Sequence, residues 1–167
     1  MASVQRALRH LFAGSAQSLF PPPTLQRIAQ AIAVGEATHR GQVCFAVESA
    51  LPLAAVLSGH DARRRAEDAF ARLRVWDTAD NNGVLVYLLL ADHRIEIVAD
   101  RGVAGLIDAA QWRAICALME QRLRGGDAEA AAVTGVTTIS ALLAEHFPRT
   151  DFDGRHNELP DLPQILG

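Results

Sequence analysis

Residues 83–99, Gly-Val-Leu-Val-Tyr-Leu-Leu-Leu-Ala-Asp-His-Arg-Ile-Glu-Ile-Val-Ala, constrain the fold more than any other stretch of the chain. Val84 to Leu90 is an unbroken apolar run, and a strand without polar alternation must be covered on both faces. Ala91-Asp92-His93-Arg94 is a short polar turn. Ile95-Glu96-Ile97-Val98-Ala99 then returns as a second strand, so the pair is expected to form an antiparallel hairpin. The apolar run stops at Asp92, far short of the ~18 to 20 residues a membrane-spanning helix needs, and no other segment is longer.

The flanking segments supply the cover. Val4, Ala7, Leu8, Leu11 and Phe12 fall at helical spacing, with Arg6, Arg9 and His10 on another face. Pro21-Pro22-Pro23 breaks that helix, and a second is expected from Thr24, placed as its N-cap, to about His39, with Leu25, Ile28, Ala29, Ile32 and Ala33 as its apolar stripe. Gln42 to Ser49 reads as a strand with Glu48 at its exit. Residues 61–73 read as an amphipathic helix. Asp108 to about Leu123 and Asp127 to about Phe147 read as two more, separated by Gly125-Gly126. A helix between two strands implies a crossover and parallel pairing. The fold class expected is therefore α/β, a small mixed β-sheet flanked by helices on both faces in a three-layer sandwich. The expected organisation is an N-terminal amphipathic helix over 1–20, an α/β domain over 21–150 and an extended acidic tail over 151–167.

Half of the 167 residues are hydrophobic and 21% are charged, which suits a folded globular chain. All sixteen positive charges are arginine, and their sign is sorted along the chain: +3 over residues 1–35, −1 over 36–126 and −5 over 127–167. No basic stripe with interleaved aromatics is present, so nucleic acid is not an expected partner. The N-terminus lacks the uninterrupted apolar core of a secretory signal, and the expected location is cytoplasmic. Cys44 and Cys116 stand apart with no ligand spacing, and are read as reduced, buried small hydrophobes rather than zinc ligands. His10, His39 and His93 are read as solvated, and Trp76 and Trp112 as core anchors.

Strong catalytic signatures are missing: there is no Walker loop, no GxGxxG after a strand, no HExxH and no GxSxG elbow. Asp151-Phe152-Asp153-Gly154 superficially resembles an aspartyl nucleophile pair, but it stands in the tail, where no strand end holds it rigidly. The acidic residues around the hairpin are more informative. Asp77, Asp80, Asn81 and Asn82 precede its first strand and Asp100 comes after its second, so they converge at one end of the sheet. Carboxylate and amide oxygens gathered there suit a hard cation, although the twelve-residue calcium-loop pattern fails, with Thr78 at its first position and Leu89 at its last. The same residues also suit capping and turn formation.

The hairpin resembles the TPM domain family. The resemblance rests on Thr78-Ala79-Asp80-Asn81-Asn82-Gly83-Val84-Leu85-Val86-Tyr87 and on Ile95-Glu96-Ile97-Val98-Ala99-Asp100-Arg101-Gly102-Val103. It extends through 41–48, Trp112 and Phe147-Pro148, and Asn157-Glu158-Leu159-Pro160 is similar to the close of the small soluble bacterial members. The resemblance implies an α/β sandwich. It brings over Asp80, Asn82 and Asp100 as candidate metal ligands, with Asp77 and Glu48 as weaker neighbours. Plant members of the family are associated with acid phosphatase activity and photosystem II repair, some bacterial members bind calcium, and an animal member modulates a receptor. The signal peptide, C-terminal membrane helix and glycine-rich tail of the commoner architecture are not found in this sequence, so lumenal or envelope roles are not expected.

The function expected first is a binding or accessory module that holds calcium or magnesium at the acidic end of the hairpin, with no organic cofactor and an unidentified protein partner. A metal-dependent, acid-phosphatase-like hydrolase is the alternative from another class; no catalytic residue is assigned, and whether the chain is an enzyme stays open. The third is an interaction protein at the cytoplasmic membrane face, making peripheral contact through Arg6, Arg9 and the apolar stripe of the first helix.

Overall fold

The computed structural model describes residues 2–150, 154 and 157–167. The Asp151-Phe152-Asp153 triplet lies outside them. Four strands form one sheet, in the spatial order β3 (Arg94–Ala99), β2 (Gly83–Leu89), β1 (Gln42–Glu48) and β4 (Gln164–Leu166). Strands β1 (Gln42–Glu48) and β2 (Gly83–Leu89) are buried along their whole length and run parallel, in register from Gln42 opposite Gly83 to Glu48 opposite Leu89. Strand β3 (Arg94–Ala99) returns antiparallel beside β2, with Ala99 opposite Val84. This is the expected mixed α/β sheet.

Helices cover both faces. One face of the sheet presents Val43, Phe45, Val47, Val84, Val86 and Leu88 to α3 (Pro22–Glu36), α7 (Ala109–Arg124) and α8 (Ala128–His146), which contribute Ile28, Ile32, Met119, Ile139 and Leu143. The other presents Cys44, Ala46, Leu85, Tyr87 and Leu89 to α4 (Leu53–Leu57) and α5 (Ala62–Arg72), which contribute Val56, Ala66 and Ala69. Each large side chain taken out of water here is worth ~1.5–3 kcal/mol, so the two clusters drive the fold. Small residues set the helix spacing: a Cβ at Gly135 would lie 2.2 Å from Met119 Sδ, where α8 meets α7.

Several local expectations change. Helix α3 starts at Pro22, with Pro21 as its cap, because proline at the first helical positions has no N–H to leave unsatisfied and carries a helical φ. Thr24 is therefore inside the first turn, and its hydroxyl donates to Glu129 of α8 at 2.6 Å. Short helix α2 (Ala16–Leu19) is a separate piece of what was expected as one helix over 1–20, and α4 and α6 (Arg101–Ala104) fill stretches between the expected elements. The tail does more than extend from the domain: β4 (Gln164–Leu166) pairs parallel to β1, with Ala46 opposite Gln164. Trp76 is half exposed, with the Arg74 guanidinium 5.8 Å from its ring centre, and is not a core anchor.

Helix α1 (Ala2–Leu11) docks through its polar face. Arg6 reaches the Asp92 carboxylate of the hairpin turn with two nitrogens at 2.8 and 2.9 Å, and Arg9 stands 3.5 Å from it. His10, expected in solvent, is buried; its Nδ1 accepts the Leu51 N–H at 2.9 Å and its Nε2 lies 3.2 Å from Asp92. Burial opposes ionisation of Asp92, but Arg6 and His10 outweigh it and hold the carboxyl below its ordinary value. His39 is also fully buried rather than solvated, and burial pulls its imidazole down to about 4. No helix among the described residues is long and apolar enough to cross a membrane.

Candidate functional site

The end of the sheet where β1 and β2 begin is built by the loop 76–82. Asn81 takes a left-handed conformation, φ 50°, which asparagine tolerates better than most residues. That reverses the chain so that Asn82 can be pinned. Its N–H donates to Thr78 Oγ1 at 3.0 Å, its Nδ2 donates to the Arg40 carbonyl at 2.6 Å, and its own carbonyl accepts the Gln42 N–H at 3.0 Å. Its remaining polar atom, Oδ1, is buried and without a hydrogen-bond partner.

The other strand comes back to the same place. Asp100 N–H donates to the Gly83 carbonyl at 2.8 Å, and Gly102 N–H to the Asn81 carbonyl at 2.8 Å. Both glycines are needed. A Cβ on Gly83 would fall 2.0 Å from the Val75 carbonyl oxygen, and one on Gly102 would fall 2.4 Å from that of Asp80. Asp100 caps the short α6: one carboxylate oxygen accepts the Arg101 N–H at 2.8 Å, and the other, Oδ2, is buried with no partner. Arg101 turns to Asn81, placing Nη2 3.0 Å from its amide oxygen.

Asp80, Asn82 and Asp100 are thus brought to one end of the sheet. The other two candidates are not part of that group. Asp77 is exposed and ion-paired to Arg74, three residues back. Glu48 sits at the far end of β1, roughly 20 Å along the strand at ~3.3 Å per residue. There it is buried and fully engaged, accepting Arg65 at 2.6 and 2.8 Å and the Tyr87 hydroxyl at 2.5 Å. Burial first and the hydrogen bond to Glu48 second push the Tyr87 phenol upward, while the bond to Glu48 raises Arg65 further above its ordinary value. This trio ties α5 to the sheet. The family resemblance brings Glu48 in as a neighbour of the hairpin acids, but the parallel register sends the exit of β1 to the opposite end.

Three residues not singled out as candidates complete the acidic end. Arg40 pairs with Asp80 at 3.1 Å and lies over the Phe147 ring at 4.9 Å. Glu158, beyond the last long helix, accepts the Ala79 N–H at 2.9 Å, and its own N–H donates to Gln42 Oε1 at 2.8 Å. Arg149 donates to the His39 carbonyl at 3.3 Å. Together Arg40, Gln42, Asp80, Asn82, Arg149 and Glu158 line most of a cavity of about 310 Å³. Glu158 was visible in the Asn-Glu-Leu-Pro run; Arg40 and Arg149 carried no local signal. Behind this wall, burial pushes the Glu36 carboxyl up to about 7 although it accepts the Val43 N–H at 2.7 Å. Among the described residues no three His, Cys, Asp or Glu side chains come together as a metal-binding cluster.

The family model described as the TPM domain matches residues 15–142 of this chain. No curated protein matches it. Among solved structures, the NMR structure of the BA42 protein from the psychrophilic bacterium Bizionia argentinensis is similar in fold, with a TM-score of 0.74 and 24% identity across 86% of this chain and 92% of that one.

Proposed function

From the premise that this chain belongs to the TPM domain family, we propose that it is a binding module whose sheet end at Asp80, Asn82 and Asp100 takes a hard divalent cation, calcium or magnesium. One observation carries this: two oxygens, Asn82 Oδ1 and Asp100 Oδ2, are buried there without hydrogen-bond partners. An unpaired buried acceptor costs ~1–3 kcal/mol, and a cation is a ligand that could offset that cost at an acceptor-only atom. The donor chemistry fits, since carboxylate and amide oxygens are what calcium and magnesium prefer. Asp80 joins by exchanging its surface ion pair with Arg40, a contact worth at most ~1 kcal/mol. With only two carboxylates the expected affinity is weak, a Kd on the order of 10⁻⁴–10⁻³ M. Glu48 and Asp77 play no part. A reducing compartment, the cytoplasm, suits the two free thiols.

The experiment is a calcium and magnesium titration followed by amide shifts and melting temperature. Shifts confined to 78–83 and 100–102, with Tm rising by mass action, support the site. Unmoved amides at Asp80, Asn82 and Asp100, or an identical response from an Asp80→Asn, Asp100→Asn double variant, would refute it.

A further inference from the structure

Helix α1 is mounted inside out. Arg6 and His10 face the protein, held at Asp92 and the Leu51 backbone, with the small Ala7 packed inward beside them. Its apolar stripe faces solvent: Val4 is 61%, Leu8 48%, Leu11 60% and Phe12 82% exposed. These residues are spaced i, i+4, i+7 and i+8, so they form one continuous strip along the helix. Folding usually buries such a strip, and exposed large apolar groups in a contiguous patch mark a docking surface.

The surroundings say what the strip meets. Beside it, Leu8, Phe12 and Leu19 join Leu90 and Leu123 in an apolar depression of about 640 Å³. The charged or titratable side chains in its lining are Arg9, His93 and Arg124, with no aspartate or glutamate among them. Arg9 and Arg124 each touch an acid on the inner side, Asp92 and Glu120, yet more than half of each side chain remains in solvent. Apolar groups that protrude from a helix, rimmed by arginine, complement an interface with hydrocarbon beneath and anionic headgroups at its rim. A second copy of this chain would set the same arginines against each other.

We propose that the outer face of α1 docks this protein on an anionic lipid surface, with Leu8, Leu11 and Phe12 entering the acyl boundary and Arg9 and Arg124 meeting the headgroups. Arg6, which an isolated helix would also offer, is taken by Asp92. The helix is already folded and clamped by that pair, so docking needs no coil-to-helix transition.

The test is co-sedimentation of the full chain with phosphatidylcholine vesicles and with vesicles in which part of that lipid is replaced by phosphatidylglycerol, beside a Leu8→Ser, Phe12→Ser double variant. The expected result is binding to the anionic vesicles alone, reduced by salt, and weakened about tenfold or more in the variant, since each large apolar side chain left in water forfeits roughly that factor. The variant should melt with the wild type, because both side chains are exposed. Wild-type protein left in the supernatant with anionic vesicles overturns the proposal, as does equal pelleting of the variant. So does a dimer, seen by light scattering, that the variant abolishes, since a second copy would then cover the strip.

Discussion

Asn82 Nδ2 donates to the backbone carbonyl of Arg40 at 2.6 Å, tying the loop that leads into β2 to the turn that leads into β1. The parallel pair therefore starts from one cross-linked point, and the atom left over, Asn82 Oδ1, is delivered to the candidate site as a by-product of that tie. Replacing Asn82 with alanine should remove both. The expected loss is ~1–3 kcal/mol in urea denaturation, because the Arg40 carbonyl gives up a buried donor. Asn82→Asp should be as unstable without calcium but regain stability on its addition, since it keeps an oxygen and adds a charge. Wild-type stability in Asn82→Ala would show that the tie is idle.

The close approach of Gly102 to the Asp80 carbonyl predicts a second effect. At 2.4 Å from backbone oxygen, an added methyl cannot be absorbed by a rotamer change, so Gly102→Ala should cost ~1–3 kcal/mol and displace the amide signals of Asp80 and Asn81. Gly105, at the end of the same short helix, has helical φ and nothing within 4 Å of its would-be Cβ. Alanine there should be neutral or stabilise by up to ~1 kcal/mol. Equal effects at the two positions would mean that the contact with the 80–81 loop is unimportant.

The convergence of Asp80, Asn82 and Asp100 was legible because a hairpin returns the chain, and geometry alone then brings the residues before its first strand beside those after its second. Glu48 was brought in by the family resemblance, although the parallel pairing that the crossover already implied sets the start of β1 beside Gly83 and so sends its exit, with Glu48, to the far end of the sheet. Strand β4 has three residues, too few to show a period, and it is selected by the free edge of β1. Spacing revealed two faces on α1 but not which one docks, since its polar face is drawn inward by Asp92, 86 residues away in sequence from Arg6. The burial of His10 and His39 was hidden for the same reason: an imidazole accepts either setting, and the partners that decide come from other elements.

At the opposite end of the sheet, Glu48 is the acceptor for both Arg65 and Tyr87. Glu48→Ala leaves a mostly buried guanidinium and a buried hydroxyl without their acceptor, and should cost ~3–5 kcal/mol. Tyr87→Phe removes only one donor and should cost ~1 kcal/mol. Neither change should alter the amide response of residues 78–83 to calcium. A cation response that disappears in Tyr87→Phe, measured on protein shown to be folded, would tie the two ends together and contradict the separation described above.

Glu36 and His39 set an opposed pair of pH dependences at the end of α3. Burial holds the Glu36 carboxyl at about 7, above its unfolded value of 4.5, so its contribution to stability is full below pH 4.5 and is lost as pH rises through 7. Burial holds His39 at about 4, below its unfolded value of 6.5, so its contribution is full above pH 6.5 and is lost as pH falls through 4. Each has a slope of up to ~1.4 kcal/mol per pH unit, with opposite sign, so between pH 4.5 and 6.5 they largely cancel in the native protein. Glu36→Gln leaves an uncharged side chain in the same space and removes one slope. Denaturation curves of that variant should show stability climbing steadily from pH 4.5 to 6.5, where the parent is nearly flat, and should lack the parent's decline toward pH 7. Parallel pH profiles for the two proteins would mean that Glu36 titrates as an ordinary carboxylate.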